Sequence, residues 1–406
     1  MVSRKVYLYM TSLFPSTESW RGGFCYDAVK ALMRNSDYDV RVMMIGKGDD
    51  YMIDGIPVAR IQRKTIGSCD YFPYLQGGQN ARIFLRKLRQ MGITPEDVAV
   101  CHINEVSEYA VYAGALKKKN PKCLTLATHH WACDWASTRF GRLGYVPILS
   151  EIKYLWLRHL NLLLDVHLFV SEAGKRGFGK YLTGIEVWKM ADIRQQLLFP
   201  RLLPPMRYKA AKVVYNGVDH RLFHPDPIPH EGYVIGCVGN FTPGKRQIDL
   251  LKAFPEILKT MPDARLRFLG SGSELDSCKK YVSENGLEDK VEFLTEIQHT
   301  DIPKFYNSLD VYVHPSVNEA FCCALIEAQA CGLPIICCKG ISIEEVMTEE
   351  SKRDFLVDPY SPQKIAMSVT KTRMGHLSTC LSTNLDIDVI LRSFLEWSHG
   401  LVVQAS

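Results

Sequence analysis

The sequence predicts an α/β protein made of two domains, each a doubly wound parallel sheet. A chain of 406 residues is too long for one ordinary domain and favours two of about 200 residues. In its second half, apolar strand segments alternate with helical segments, a pattern typical of a parallel sheet with helices on both faces. Between the halves, residues 220–232 are rich in His, Pro and Asp, as expected of a linker.

The composition is that of an ordinary soluble globular protein, with 47% apolar and 23% charged residues. A net charge of +5 is too small to indicate nucleic-acid binding, although it favours anionic ligands or surfaces. The 13 cysteines are scattered and form no CxxC pair, which disfavours zinc and redox motifs and favours buried thiols in a reducing compartment. We find no signal-peptide pattern and no apolar stretch near 18 residues, so a cytoplasmic protein, at most peripheral at a membrane, is expected.

The first half opens with a predicted strand at residues 5–10 and a helix at residues 26–33, joined by a loop that contains Gly22 and Gly23. A glycine pair between strand and helix lets the backbone approach a phosphate at the helix N-terminus, although Gly-Gly is also a common turn. Further strands are predicted at residues 39–45, 56–61, 98–103 and 123–128, and a basic helix at residues 81–91.

Two adjacent histidines, His129 and His130, follow the strand at residues 123–128. Neighbouring residues of a strand point to opposite faces, so we expect one of the two to face a ligand. The alternative for a histidine at a strand end is a hydrogen-bonded structural role.

The end of the first half is predicted to contain an amphipathic helix at residues 151–167 and a short strand at residues 168–171. From residue 172 to residue 215, nine basic side chains accompany three acidic ones. Such a segment is either a solvated loop and helix or a surface that contacts an anionic membrane or a charged acceptor.

The second half begins with a strand at residues 233–238 and a loop that ends in Lys245 and Arg246. Adjacent Lys and Arg residues are usually solvated, but in a loop between strand and helix they can neutralise a bound anion together with the helix dipole. Helices are then predicted at residues 248–261, 274–285 and 301–308, and strands at residues 265–269 and 291–294.

The most informative stretch is residues 309–338, read as a strand at 310–313, a polar loop at 314–319, a helix from about 321 to 331 and a strand at 334–338. Ligands of open α/β sheets bind at the carboxyl ends of the strands, where Glu319 would lie. Glu327, eight positions later, lies in an apolar helix, where a carboxylate is costly to bury without donors. Each carboxylate could bind a ligand or form an ordinary salt bridge or helix-end contact.

This stretch resembles the E-x7-E signature of glycosyltransferase family 4, the retaining "group 1" glycosyltransferases. Their GT-B fold consists of two Rossmann-like domains that face each other across a cleft. Cys322 stands where the family usually has Gly, which we interpret as tolerable because only a backbone amide is needed there. The matching residues are Pro315, Ser316, Glu319, Phe321, Glu327, Ala328, Ala330, Gly332 and Pro334.

The resemblance implies a role for each carboxylate and for one histidine. Glu319 would hold the hydroxyls of the donor sugar, and Glu327 would hold the ribose diol of the nucleotide. The spacing Thr128-x-His130 resembles the T-x-H element of the family, whose His contacts the donor sugar, so His130 is favoured over His129.

The resemblance also implies how the donor diphosphate is held. The loop with Gly22 and Gly23, the side chain of Lys245 and the backbone amides of the helix start would surround it. Those amides belong to Phe321, Cys322 and Cys323. We hypothesise that Arg246 replaces an Arg that the family often has where this chain has Asn240. A C-terminal helix, residues 386–406, is expected to cross back onto the first domain (1–219) from the second (220–385).

The implied function is that of a retaining glycosyltransferase that moves a hexose from a nucleotide-diphosphate sugar to a hydroxyl of a glycan, lipid-linked or small-molecule acceptor. No metal or other cofactor is expected, because cationic side chains and helix ends can neutralise the leaving diphosphate. No Asp-x-Asp lies in the diphosphate loop to hold a metal. One alternative is a GT-B sugar-nucleotide epimerase, which would need acid/base carboxylates that we cannot assign in the first domain. Another is an inactive nucleotide-sugar-binding homologue, favoured by Cys322 and Asn240.

Overall fold

The computed structural model describes residues 4–16, 22–62, 77–104, 109–130, 159, 162–175, 209–317, 319–340, 342–375, 379 and 381–405. The chain divides into two compact units. Unit 1 comprises Met1–Phe14, Cys25–Tyr215 and Ile390–Ser406, and unit 2 comprises Pro15–Phe24 and Asn216–Val389. The main boundary thus lies between Tyr215 and Asn216, four residues before the predicted one.

The described part of unit 1 is built on one sheet. Its strands are β1 (Val6–Thr11), β2 (Asp39–Ile45), β3 (Tyr51–Ile53), β4 (Ile56–Ile61), β5 (Val98–Asn104), β6 (Leu124–His129), β7 (Val166–Phe169) and β8 (Ala210–Val213). They lie in the order β3-β4-β2-β1-β5-β6-β7-β8, and all pairs are parallel except β3–β4. Strands β1 and β6 are buried at every position, as expected of central parallel strands covered on both faces.

Helices accompany this sheet. They are α1 (Gly23–Asn35), α2 (Gly77–Gln90) and α3 (Ala110–Lys117). Buried Phe84 and Leu88 of α2 and buried Tyr112 and Leu116 of α3 pack into the core with β1 and β5. Because β1 pairs with β2 on one side and β5 on the other, the strand order reverses there, which is where ligands of such sheets bind.

Unit 2 has a second sheet, and its described pairs are all parallel. Its strands are β9 (Tyr233–Val238), β10 (Ala264–Leu269), β11 (Val291–Leu294), β12 (Val311–His314), β13 (Ile335–Cys338) and β14 (Leu356–Val357). They lie in the order β11-β10-β9-β12-β13-β14. The order reverses between β9 and β12, as in doubly wound nucleotide-binding sheets.

Seven helices are assigned to the described part of the chain after residue 216. They are α4 (Gln247–Thr260), α5 (Leu275–Glu284), α6 (Ile302–Asn307), α7 (Cys323–Ala330), α8 (Glu349–Phe355), α9 (Pro362–Gly375) and α10 (Ile387–Ala405). Most of α10 groups with unit 1, where the ammonium of Lys212 lies 4.5 Å from the ring centre of Trp397. None of the helices that the structure describes combines the length and apolarity needed to cross a bilayer.

The predicted α/β class is confirmed, and four strands, β2, β4, β9 and β11, have the predicted bounds. Most other element ends differ by one to four residues, and one prediction overlaps another element: the helix predicted at residues 151–167 runs into β7, which begins at Val166. Leucines continue on both sides of Asp165 into the strand, so periodicity could not separate the two elements. The rest of that helix, and most of the basic segment at residues 172–215, lie outside the described residues. The sequence pattern did not predict β3, β8, β14, α3, α8 or α9.

Two loops of unit 2 depend on a glycine. Gly270, directly after β10, has φ +144°, and a Cβ added there would lie 2.2 Å from the carbonyl oxygen of Gly239. The close approach allows hydrogen bonds between the loops: the amide of Gly239 donates to Leu269 O (2.9 Å), and that of Phe241 donates to Ser271 O (2.9 Å). Gly270 therefore fixes the loop that follows β9.

Replacing Gly270 by Ala should destabilise unit 2 severely, because the methyl group would overlap backbone that cannot move without breaking the loop. Gly286→Ala is the matched control, since Gly286 has φ +63° but no atom within 4 Å of the added Cβ. We expect a loss of about 1 kcal/mol for Gly286→Ala, from backbone strain alone, and about 3 kcal/mol or more for Gly270→Ala. Urea unfolding of both variants measures this, and equal losses would show that the close approach has no structural role.

Candidate functional site

The strongest candidate site lies at the carboxyl ends of β9 and β12, where the strand order of unit 2 reverses. Residues 239–246 connect β9 to α4, and residues 315–322 connect β12 to α7. Because these loops leave adjacent strands toward opposite neighbours, they border a crevice in which ligands of this fold class bind. Val317 in the second loop donates its amide hydrogen to Gly244 O in the first (3.0 Å), which ties the two loops together.

The centre of this site is the carboxylate of Glu319. Its Oε1 atom accepts a hydrogen bond from Nε2 of His314 at 2.6 Å and forms an ion pair with Nζ of Lys245. The hydroxyl of Ser342 donates to the backbone carbonyl of Glu319 at 3.2 Å. The side chain of Glu319 is only 9% exposed, so these contacts replace most of its hydration.

The charges around Glu319 are set by this pairing. Burial acts to raise the pKa of Glu319, but the charge of Lys245 and the hydrogen bond from His314 outweigh it and lower the pKa to about 2. Burial acts to lower the pKa of Lys245, and the adjacent carboxylate reverses this and raises it. Burial lowers the pKa of His314 in spite of Glu319. At neutral pH the site therefore holds a carboxylate, an ammonium and a neutral imidazole.

Cys322 lies beside this cluster, with its Sγ atom 3.3 Å from Nε2 of His314. It is the N-cap of α7, with φ −84° and ψ 102°, so this position does not require a glycine. Burial raises the pKa of the Cys322 thiol well above its usual range, which keeps it protonated. Helix α7 begins at Cys323, two residues later than predicted, because Cys322 is still extended, and buried Phe321 precedes the helix.

Glu327 lies in the middle of α7 and accepts a hydrogen bond from the hydroxyl of Tyr306 (2.9 Å). The ring of Tyr306 is fully buried, and burial together with the nearby Glu327 charge raises the pKa of its hydroxyl. A neutral donor from α6 thus contacts the carboxylate in its apolar helix.

Arg246 points to a different partner from Lys245. Its guanidinium donates to both carboxylate oxygens of Asp249, at 2.9 and 2.6 Å, and lies 4.6 Å from the ring centre of Tyr360. Its charge is therefore largely balanced at the start of α4 by Asp249.

Cys323 Sγ accepts a hydrogen bond from Asn216 at 3.3 Å. The structure thus brings together Lys245, Glu319 and Cys322 of the predicted residues, and turns Arg246 toward Asp249.

In the first part of the chain, the predicted glycine pair lies at the start of α1. Gly22 has φ +87°, which favours glycine, and Gly23 is the first residue of the helix. The neighbouring Arg21 lies outside the described residues.

The two predicted histidines have different surroundings within unit 1. His129 is buried between rings, stacked on His167 with centres 5.2 Å apart and on Phe169 with centres 4.9 Å apart. His130 is partly exposed just beyond β6, and its Nε2 atom lies 2.6 Å from Oδ1 of Asn104 at the end of β5. An amide oxygen only accepts, so Nε2 of His130 carries the proton. His130 is therefore the better placed of the two to contact a ligand.

These histidines belong to a buried polar network that carries no charge at neutral pH. His102 contacts the hydroxyl of Tyr7 through Nδ1 (2.7 Å) and that of Thr128 through Nε2 (2.6 Å). Burial lowers the pKa of His102 to about 3, that of His130 to about 4, and that of His129 well below its usual range. The carboxyl ends of β5 and β6 thus present neutral donors and acceptors.

Sequence reasoning missed three residues of these networks. His314 is the last residue of β12, and its position at a strand's carboxyl end was the available signal. Asn104 has the same position in β5, but its contact with His130 joins residues 26 positions apart. Tyr306 is 21 residues from Glu327, and nothing in the spacing predicts their contact.

The network predicts an acid-sensitive fold. Since the pKa of His102 falls from 6.5 to about 3 on folding, the unfolded chain binds a proton below pH 6.5 that the folded chain does not. The free energy of unfolding should therefore fall as the pH drops below about 6.5, by about 1.4 kcal/mol per pH unit for each such histidine. Urea titrations between about pH 6 and about pH 4.5 measure this slope, a range above that in which paired carboxylates titrate.

His102→Gln should make the free energy of unfolding depend less steeply on pH, because it removes the contribution of one histidine. His399→Gln is the matched control, because it makes the same replacement at an exposed histidine of α10. An unaltered slope in His102→Gln would contradict the assignment of a neutral buried imidazole.

Comparison with known proteins adds to this geometry. Residues 220–372 match the family model "Glycosyl transferases group 1". Over 189 residues the chain is 28% identical to a subunit of the phosphatidylinositol N-acetylglucosaminyltransferase of Homo sapiens, covering 46% of this chain and 38% of that protein. Over 234 residues it is 23% identical to a GDP-mannose-dependent monoacylated alpha-(1-6)-phosphatidylinositol monomannoside mannosyltransferase of Corynebacterium glutamicum, covering 56% and 55%. The matches thus span about half the length of these relatives or less.

The fold has solved counterparts. The crystal structure of Anabaena Alr3699/HepE in complex with UDP-glucose matches 98% of this chain and 100% of that one, with a TM-score of 0.68 and 17% sequence identity. At that identity the likeness establishes the fold alone, which is GT-B, as predicted. The family match thus relates residues 220–372 to the group 1 glycosyl transferases, and the structural match gives this chain the GT-B fold.

Proposed function

We propose that this protein is a retaining glycosyltransferase that transfers a hexose from a nucleotide-diphosphate sugar to a hydroxyl group. The observation that carries the proposal is the pairing of Glu319 with Lys245 and His314 at the carboxyl ends of β9 and β12. A buried carboxylate beside a half-buried ammonium provides one group for sugar hydroxyls and one for phosphate, next to each other. These residues lie within the segment that matches the family.

Each charged side chain has a separate part in donor binding. Lys245 is protonated and supplies positive charge to the diphosphate, whose own charge grows as the bond to the sugar breaks. Glu319 is ionised, so it only accepts hydrogen bonds, which suits the hydroxyls of a hexose. Glu327 would accept hydrogen bonds from the ribose diol, because a carboxylate has about four acceptor sites and Tyr306 donates one hydrogen bond.

The reaction breaks the bond between the anomeric carbon and the donor phosphate oxygen and forms a bond from that carbon to the acceptor oxygen. The acceptor hydroxyl gives its proton to the leaving phosphate, so no enzymic nucleophile is required. The imidazole of His130, held by Asn104, would contact and orient the donor sugar. In this proposal Lys245 and backbone amides, including those of the loop with Gly22 and Gly23, perform the charge neutralisation without a metal.

The acceptor is the least constrained part of the proposal. Both relatives described above carry phosphatidylinositol in their names, which supports a lipid-linked acceptor and a cytoplasmic enzyme peripheral at a membrane. A glycan or a small-molecule acceptor fits the same donor chemistry. The basic segment at residues 172–215 is the proposed membrane contact.

Donor identity can be tested by thermal stabilisation with UDP-, GDP- and ADP-sugars. One nucleotide class should raise the melting temperature, because a ligand bound only by the folded state stabilises it. The same sugar nucleotide should be hydrolysed slowly, with release of the nucleoside diphosphate and an anomeric configuration retained in any transfer product, as read by NMR. Absence of binding by every donor would contradict the proposal.

The two carboxylates should differ in what they contribute. Glu327→Gln should weaken both the nucleoside diphosphate and the sugar donor at least about tenfold, close to 1.4 kcal/mol, because the ribose contact is common to both. Glu319→Gln should leave nucleoside diphosphate affinity nearly unchanged and lower turnover by about 100-fold, because its contact is to the sugar.

Calorimetry with the diphosphate and steady-state assays with the donor separate these effects. Glu256→Gln provides the control, since Glu256 is exposed on α4 and pairs only with Lys259 in the described contacts. If Glu319→Gln and Glu327→Gln both behaved as Glu256→Gln does, neither carboxylate would bind the donor.

A further inference from the structure

Three side chains of the Glu319 site present the atoms that bind metal ions. Nε2 of His314, a carboxylate oxygen of Glu319 and Sγ of Cys322 all lie within 4.8 Å of one another. Nε2 is 2.6 Å from Oε1 of Glu319 and 3.3 Å from Sγ of Cys322. All three side chains are buried or nearly so. One sulfur, one imidazole nitrogen and one carboxylate oxygen thus converge on one point.

These three ligand atoms favour some metal ions over others. Thiolate and imidazole ligands favour Zn²⁺ and similar borderline or soft ions, whereas Mg²⁺ and Ca²⁺ prefer oxygen ligands alone. Zinc bonds of about 2.0–2.3 Å to nitrogen, oxygen and sulfur place neighbouring ligand atoms about 3–4 Å apart. Only the His314–Glu319 contact is shorter than that, since a hydrogen bond occupies it. It would open when the Nε2 proton of His314 moves to Nδ1, which faces the hydroxyl of Tyr312, and the ion binds Nε2 in its place.

We propose that His314, Glu319 and Cys322 form a three-ligand site for Zn²⁺, and that the ion and the sugar donor exclude each other. This inference rests on the proposed function, because Glu319 is the residue assigned to the donor sugar. The site would be inhibitory, so it is separate from the expectation that transfer itself needs no metal. The fourth position on zinc would be left for water, as in other three-ligand sites.

The charge balance of the cluster allows this exchange. The carboxylate of Glu319 is now neutralised by the ammonium of Lys245. When Zn²⁺ binds, Cys322 releases its thiol proton to the buffer, and the two ligand charges, carboxylate and thiolate, balance the ion. The ammonium of Lys245 then turns away from the ion, and its side chain, 22% exposed, already reaches solvent. The ammonium of Lys245 is then no longer available to neutralise the diphosphate of the sugar nucleotide.

The ligands are already oriented by the residues behind them. Nδ1 of His314 lies 3.1 Å from the hydroxyl of Tyr312, which holds the ring with Nε2 toward the cluster. The hydroxyl of Ser342 fixes the backbone of Glu319, and the N-cap position fixes Cys322. Such supporting contacts are typical of metal sites and strengthen them.

The third ligand is particular to this chain. Cys322 replaces the glycine that is usual in the resembling signature, and glycine offers no ligand atom. The spacing His-x4-Glu-x2-Cys contains no CxxC pair, so the sequence did not indicate zinc. The fold brings the three ligand atoms together, because His314 ends β12 and Cys322 is the N-cap of α7.

The test uses the full chain and two metal probes. Co²⁺ replaces Zn²⁺ as a spectroscopic probe, and a cysteine thiolate on it gives a near-ultraviolet charge-transfer band. We expect the band in the wild type and in Cys331→Ala, a matched control at the other end of α7. We expect its loss in Cys322→Gly, and also in Cys322→Ser, which keeps the size of the side chain.

Zn²⁺ affinity, measured by competition with a chromophoric chelator, should fall at least about tenfold in both Cys322 variants. Zinc should abolish thermal stabilisation by the sugar donor in the wild type but not in Cys322→Gly. Unchanged zinc affinity in the Cys322 variants would overturn the site, and simultaneous binding of zinc and donor would overturn the exclusion. A wild type that binds no sugar nucleotide would refute the proposed function, and the cobalt band would still decide the metal site.

Discussion

The buried carboxylate of Glu319 is the constraint on which the candidate site depends. A carboxylate with little exposure is stable as an anion only when charges and donors replace its water. Lys245 provides its charge from the loop after β9, and His314 provides its hydrogen bond from the last residue of β12, whereas Glu319 itself lies in the loop after β12. The charge of Glu319 therefore couples the two loops, and each can hold its conformation only while the other is in place.

The parallel sheet is what brings those loops together. Adjacent β9 and β12 end at the same edge, and the glycines after β9 and β10 let the connecting backbones approach to hydrogen-bonding distance. Unit 1 repeats this arrangement at the ends of β5 and β6, with a different chemistry. There neutral side chains pair instead, His130 with Asn104 and Thr128 with His102. Neutral donors and acceptors suit sugar hydroxyls, whereas the ammonium of Lys245 suits phosphate.

The sequence predicted those parts of the fold that depend on local pattern. Buried parallel strands such as β9 are continuous apolar runs between turns, so their limits could be located to the residue. Helix α7 was placed two residues too early, because its N-cap is Cys322 instead of the Ser, Thr, Asp or Asn that usually marks a helix start. Helix α3 was missed because Ala110–Lys117 is apolar on most faces and has no period to detect.

The site was predicted less completely, for a physical reason. A motif identifies residues that face a ligand. The side chains that hold those residues in place can be far away in the sequence, so the motif does not identify them. Glu327 was expected to need a donor, yet Tyr306 lies on a different helix and could not be named. The ion pair of Lys245 with Glu319 links residues 74 positions apart, so two separately predicted roles proved to be one electrostatic unit.

The two departures from the family signature have opposite structural consequences. Cys322 has an extended backbone that any residue can adopt, so replacing glycine introduces no strain there and adds a thiol to the site. Asn240 removes a cation, and Arg246 does not restore it in the described contacts, because its guanidinium is bound to Asp249. The positive side-chain charge at this site then comes chiefly from Lys245. A ligand that draws Lys245 away from Glu319 would leave a buried anion uncompensated, so diphosphate binding must be accompanied by a new donor to Glu319. The hydroxyls of the sugar are the donors that arrive with the same molecule, which links recognition of the sugar to that of the phosphate.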